Sequence, residues 1–259
     1  MCLLELIFGL MTAKKKQIVH RILDILDISE KAHTGLVIAH ELTKVVEKYE
    51  LWGKLAALVR DGGSNVKLAG KLLGINHFDC FNHRLYLAVT AGIEELNGRR
   101  NIVIKLKRIA KRLKKSNLAK KELQHLQNLL ENPVLNLKTA IDIRWSSVFD
   151  MLQRAVDCKQ SLILFLSNKT EFPQLDSVEW ETITVLLKIL KPIKKVCDNT
   201  QARGNTCSIV IPTLTILLEK LHERQDYPAV REAICRRLQD FLNTYKENSF
   251  LIVFIVLDV

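Results

Sequence analysis

Apolar residues recur at helical spacing over residues 38–49 (IAHELTKVVEKY), and the pattern stops at Trp52-Gly53. Residues 55–59 (LAALV) then form a short apolar run that ends at Arg60-Asp61-Gly62-Gly63. A short apolar run stopped by glycine predicts a buried strand. Ser64-Asn65 can cap a helix start, and residues 66–74 (VKLAGKLLG) predict a short helix closed by Gly74. Residues 75–81 predict a second strand and 84–96 a second helix. This is an α/β unit. Upstream, RILDILDISEK (residues 21–31) has helical spacing.

After Asn97-Gly98 the pattern becomes helical throughout. Helices are expected over 101–115, 118–131, 144–167, 178–200, 211–224 and 228–247. Pro133, Pro173, Pro212 and Pro228 fall near their ends, and Pro192 should kink or cut one. The next apolar run with strand character is 250–257. No fixed-period repeat is present. The expected organisation is an N-terminal extension (1–34), an α/β portion (35–98), a long helical region (99–249) and a terminal strand-like segment (250–259). The fold class is α/β plus all-α and predominantly helical.

Charge changes this picture at one place. The formal net charge is +11, and residues 99–121 contain eleven Lys or Arg and no Asp or Glu. That stretch accounts for the whole surplus. A local basic excess points to a polyanionic partner. Two readings compete with it. Ile102, Ile104, Leu106, Ile109 and Leu113 form an apolar stripe, so the charges can be the solvated face of an amphipathic helix. RRNIVIKLKRIAKRLKK also has the composition of a nuclear localisation signal, which makes the nucleus the expected compartment. Six scattered cysteines with no CxxC pair fit a reduced compartment. The apolar ends are too short for a spanning helix, which needs about 20 residues. No membrane role is expected.

Three stretches resemble one family in order and separation. VRDGGSNVKLAGKLLG (59–74) resembles the hAT transposase pattern of a strand ending in D-N-A-x-N before a helix. DCFNHRLYLAV (79–89) resembles C-x-x-H-x-L-x-L-x-V. RLKKSNLAKKELQHLQ (112–127), continuing to AIDIRWSSVFDMLQRAVDCKQSL (140–162), resembles F-K-x-S followed by T-R-W-N-S-x-x-x-M-L-x-R. IPTLTILLEKL (211–221) and the final VLDV resemble later segments. The nearest pattern is that of the zinc finger BED domain-containing proteins, which are domesticated transposases. The resemblance implies a partial RNase H-like core interrupted by a helical insertion domain.

It also implies roles. Asp61 matches the second carboxylate of a catalytic Asp-Asp-Glu set. Such a set holds two divalent ions, Mg2+ in a catalytic form, about 3.5–4 Å apart. Without the resemblance, Asp61 reads equally well as a cap of its turn. Asn65 is expected to fix the loop, where Gly62 and Gly63 replace the family's Asn-Ala. Nothing in residues 1–40 matches the first Asp; Asp24 and Asp27 sit in the helical pattern. The last Glu, the dimerisation segment and the BED finger have no match, so a non-catalytic protein is expected. Cys80 and His83 match the family's C-x-x-H, with Cys80 buried and His83 capping or orienting a helix start. A structural zinc needs four ligands and no second pair stands at finger spacing, which argues against zinc.

Arg144 and Trp145 match the family's R-W, implying a base stacked on the indole with phosphate on the guanidinium. The plainer reading is a core tryptophan opening a helix. For the basic stretch, Arg99, Arg100, Lys105, Lys107, Arg108, Lys111, Arg112, Lys114 and Lys115 are the candidate phosphate contacts. DNA is a candidate partner and proteins are another. The expected function is a non-catalytic, nuclear, transposase-derived protein. The alternatives are a piece of an active transposase and a helical interaction scaffold.

Overall fold

The computed structural model describes residues 3–12, 17–29, 31–96, 101–140, 145–200 and 207–248. The expected 250–257 strand lies outside them. The protein is predominantly helical, and packing divides it into two compact units. The first comprises Met1–Leu85, Asn199–Leu214 and Phe241–Val259; the second comprises Tyr86–Asp198 and Thr215–Asp240. The division follows packing and each of its four boundaries falls within a helix, whereas the step in composition comes at 98/99.

The first unit opens with a hairpin. Strand β1 (Leu3–Thr12) pairs antiparallel with β2 (Gln17–Asp27), with an irregularity at Leu6/Ile7. This corrects the helical reading of 21–31: Asp24 pairs with Leu6 and Asp27 with Leu3. The segment carries β-branched residues, and cross-strand pairing with β1 overrides its local spacing. Two contacts join the hairpin to helix α1 (Gly35–Lys48): Lys48 Nζ to the Asp24 carboxylate at 2.9 Å, and Tyr49 OH to the Leu23 carbonyl at 3.1 Å.

Helix α1 starts where the Thr34 hydroxyl accepts the Val37 N–H, and its inward face is Ile38, Leu42, Val45 and Val46. Strand β3 (Leu58–Arg60) leads into helix α2 (Ser64–Leu72), and strand β4 (His77–Asp79) leads into helix α3 (Phe81–Glu94). Helices α1 and α2 pack through Ile38, Ala39, Leu42 and Ala69, with Val66 and Leu73 at the edge. Burying each leucine or isoleucine there contributes about 1.5–3 kcal/mol. Gly35 allows the close approach, because a Cβ there would lie 2.7 Å from Leu68 Cβ and 2.8 Å from the Asn65 carbonyl. Gly74 ends the turn after α2 at φ +64°, which a side chain would resist.

The second unit is helical. It contains α4 (Asn101–Lys115), α5 (Asn117–Leu129), α6 (Trp145–Asp157), α7 (Lys159–Ser167) and most of α8 (Ser177–Thr200). Helices α9 (Val210–His222) and α10 (Pro228–Lys246) contribute their parts within Thr215–Asp240. The expected single helix over 144–167 is two, interrupted at Cys158. Pro192 does not cut α8, which runs through it. The core includes Leu106, Ile109, Leu152, Leu162, Phe165 and Ile183, all essentially inaccessible. Phe165 meets Phe172 edge-on at 5.1 Å.

Candidate functional site

Strands β3 and β4 are parallel, with Arg60 opposite Asp79. Asp61 and Cys80 therefore leave the same end of the pair, and the Cys80 N–H donates to the Arg60 carbonyl at 2.6 Å. Asp79 is buried, and both of its carboxylate oxygens are engaged: Oδ1 by the Arg60 guanidinium and Oδ2 by that of Arg84. Arg60 also donates from Nε to His77 Nδ1 at 3.2 Å and from Nη1 to the Asp61 carbonyl at 3.0 Å. The Tyr245 hydroxyl donates to the Asp79 carbonyl at 2.5 Å, and its ring meets Phe78 and Phe241 edge-on. Burial lowers the Arg60 pKa. Burial, then the charges of Arg60, Lys71 and Lys67, pushes the His77 imidazole below its usual range.

Asp61 itself is exposed. Its Oδ1 accepts the Gly63 N–H at 3.1 Å, the geometry of a local turn. Asn65 does not supply the N-cap of α2. That position is Gly63, with no side-chain bond. The Asn65 side chain instead donates to the His33 carbonyl at 3.1 Å and accepts the Val66 N–H at 2.9 Å, which ties the start of α2 to the segment before α1. A Cβ on Gly62 would lie 3.5 Å from His83 Nε2, so the His83 ring faces the Asp61 turn. Cys80 is a free thiol and half-exposed rather than buried. A two-metal centre needs carboxylate oxygens turned toward a shared space. Here one carboxylate closes its own turn and the other is held between two guanidiniums, so these residues do not fit divalent ions as they stand. Among the described residues, no cluster of three His, Cys, Asp or Glu is placed to hold a metal.

Helix α4 divides the basic candidates. Ile102, Val103, Leu106, Ile109, Ala110 and Leu113 are buried, whereas Ile104, expected in the stripe, is 39% exposed. Arg108, Lys111, Arg112 and Lys115 share one exposed face, and Lys114 is exposed beside them. Arg112 also lies over the Phe172 ring at 5.7 Å. Lys107 is half-exposed and has a partner of its own. Lys105 corrects the sequence reading. Its ammonium is 2.6 and 2.8 Å from the two oxygens of Glu179 on α8, so it serves the fold. Arg99, Arg100 and Arg144 lie outside the described residues. Trp145 opens α6, but its side chain is also outside them.

Beside α4 lies a groove of about 540 Å³ that no sequence motif marked. One wall is the extended segment 132–140, held by the buried Gln127 side chain. Gln127 donates to the Leu135 carbonyl at 3.0 Å and accepts the Leu135 N–H at 3.2 Å. Arg154 donates to the Asn136 carbonyl at 2.8 Å. The lining combines Leu113, Leu123, Leu135 and Leu137 with Lys114, Lys120 and Lys138. Asn117, Gln124 and Asn136 add amides, and Asp150 stands 3.7 Å from Lys138.

Residues 78–189 match the family described as the ZBED1 RNase-like helical domain. Human zinc finger BED domain-containing protein 4 is 29% identical over 143 residues, which is 55% of this chain and 12% of that protein. Zinc finger BED domain-containing protein 6 is 26% identical over 196 residues in mouse and 27% over 198 in human, each 75% of this chain and 20% of that protein. The chain is similar to the zinc finger BED domain-containing proteins. It spans a fifth or less of the length of these relatives. The matched range includes Cys80, His83, helix α4, the groove and Trp145. It begins after Asp61, so the correspondence of Asp61 rests on its own motif.

Proposed function

We propose that this transposase-derived chain binds nucleic acid through helix α4 and does not itself cut it. The observation that carries the binding reading is the exposed face of Arg108, Lys111, Arg112 and Lys115, which carries no acidic residue. Such a face neutralises phosphates without reading sequence, so affinity should fall steeply with salt. The non-catalytic reading is supported by the local chemistry at the strand ends, where Asp79 is neutralised by Arg60 and Arg84 beside Asp61. The parallel strands that follow a hairpin and a helix are what a partial RNase H-like core would contribute. A nuclear location is part of the proposal and rests on the same basic stretch. Among the described residues, no helix is long and apolar enough to cross a membrane.

The test is a nicking assay with Mg2+ or Mn2+, run beside duplex binding at several salt concentrations. Binding with a log–log salt slope of about −3 to −4, from three or four phosphate contacts, and no cleavage is expected. Cleavage abolished by Asp61→Ala would overturn the non-catalytic half. Absence of salt-dependent binding would overturn the other half.

A further inference from the structure

We propose that the groove bounded by α4, α5, segment 132–140 and α6 takes one nucleotide of a single-stranded nucleic acid. The proposal rests on the nucleic-acid reading above and goes beyond it by naming a site and a strand state. Three features specify the occupant. The volume of about 540 Å³ is in the range of small-ligand pockets. Lys114, Lys120 and Lys138 reach it from a helix end, a second helix and the extended wall, against one carboxylate, Asp150. This is a charge balance for phosphate. Half-buried Leu135 and Leu137 offer an apolar surface for a base, with Leu113 and Leu123 buried behind it, and Asn117, Gln124 and Asn136 bring amides that can both donate and accept at a base edge.

Strand state is set by shape. Duplex DNA presents phosphates on a convex surface and keeps its bases stacked, so it can reach the α4 face but cannot fill a concave, leucine-lined groove without unstacking a base. A single strand pays less for that. An acidic peptide could satisfy the lysines. It would leave the three amides and the apolar floor without a base to meet.

The experiment uses the whole chain and measures fluorescence anisotropy of a labelled oligonucleotide about 12 nucleotides long, single-stranded or duplex. Lys120→Glu/Lys138→Glu should weaken single-strand binding on the order of tenfold or more and flatten its salt slope by about 1.4, while duplex binding stays within about twofold. Arg108→Glu/Lys111→Glu should weaken duplex binding. Gln124→Leu keeps the charge and should reduce single-strand affinity only. Acetylation of lysines in the wild type supplies a readout free of folding effects: the single strand should protect Lys120 and Lys138. Unchanged single-strand affinity in the groove variants, with duplex binding intact, overturns the groove and leaves the α4 reading standing. Polyglutamate displacing the strand from those lysines assigns the groove to an acidic peptide and overturns it too. A free mononucleotide that protects them as well as the strand does would overturn the strand form. A wild type that binds neither nucleic acid overturns both readings together.

Discussion

Gln127 is the residue on which the groove's wall depends, and Gln127→Leu isolates that dependence. The side chain is 1% exposed and of nearly the same size as leucine, so the substitution leaves little cavity. What it removes is a pair of hydrogen bonds to the backbone of one residue, with a longer third contact to Cys158 Sγ at 3.5 Å: the Leu135 N–H loses its acceptor at 3.2 Å and the Leu135 carbonyl its donor at 3.0 Å. A hydrogen bond is worth about 1 kcal/mol net, and stranding a buried partner costs about 1–3 kcal/mol. Leu135 is only half-buried, so water can partly replace what is lost. The expected cost is about 2 kcal/mol, concentrated in segment 132–140. Hydrogen exchange with mass spectrometry reads this directly. The amide of Leu135 should exchange roughly 30-fold faster in the variant, since about 1.4 kcal/mol is tenfold. The core amides of α8 should change far less. The thermal midpoint should fall by about 4–8 °C on the scale of a domain this size. If Leu135 exchanges at the same rate in both proteins, Gln127 does not hold the wall.

Lys105→Met should destabilise the second unit by about 1–3 kcal/mol in urea unfolding, because it strips Glu179 of its cation in a partly buried place, and should leave the salt slope of duplex binding unchanged. Its neighbour Lys111→Met should do the reverse. The His77 imidazole is lowered in the fold, so the unfolded chain takes up its proton first as pH falls. Stability from this group is present above about pH 6.5 and lost on acidification, and the urea midpoint of His77→Asn should depend less on pH between about 7.5 and 5.5. Burial raises the Cys158 and Cys235 thiols, so in native protein both should alkylate more slowly than half-exposed Cys80 at about pH 8, as peptide mass mapping would show.

Much of the helical architecture was legible because long amphipathic periods survive in any context: 101–115 and 228–247 reappear as α4 and α10 almost unchanged. The first short strand was legible because Gly62-Gly63 stopped an apolar run, although β3 is Leu58–Arg60 rather than 55–59 and Val59 is exposed, not buried; β4 falls within the expected 75–81. The hairpin was not legible. Ile22, Leu23, Ile25 and Leu26 follow helical spacing, and the strand was chosen by a partner outside the segment. The break at Cys158 carries no glycine or proline to announce it. At the candidate sites, residue type was visible and engagement was not. Nothing near Lys105 in sequence points to Glu179, 74 positions away. Nothing near Asp61 says that Asp79 would be held by Arg60 across the strand pair and by Arg84 from the following helix. The groove was missed because an extended, motif-free segment forms its wall.

The grip of two arginines on Asp79 also constrains how this surface can change by mutation. Removing Asp79 first takes the carboxylate away from two guanidiniums, of which Arg60 is the more buried. Removing Arg60 first leaves a buried carboxylate leaning on a single, more accessible partner and frees His77 from its donor. Each lone substitution thus costs stability before any compensating change arrives, on the order of 3–5 kcal/mol for a fully buried pair. Paths from this arrangement toward a metal-binding one run through intermediates that fold less well. The clamp therefore acts as a historical ratchet, allowing the rest of the surface to drift while the ends of the two strands stay as they are.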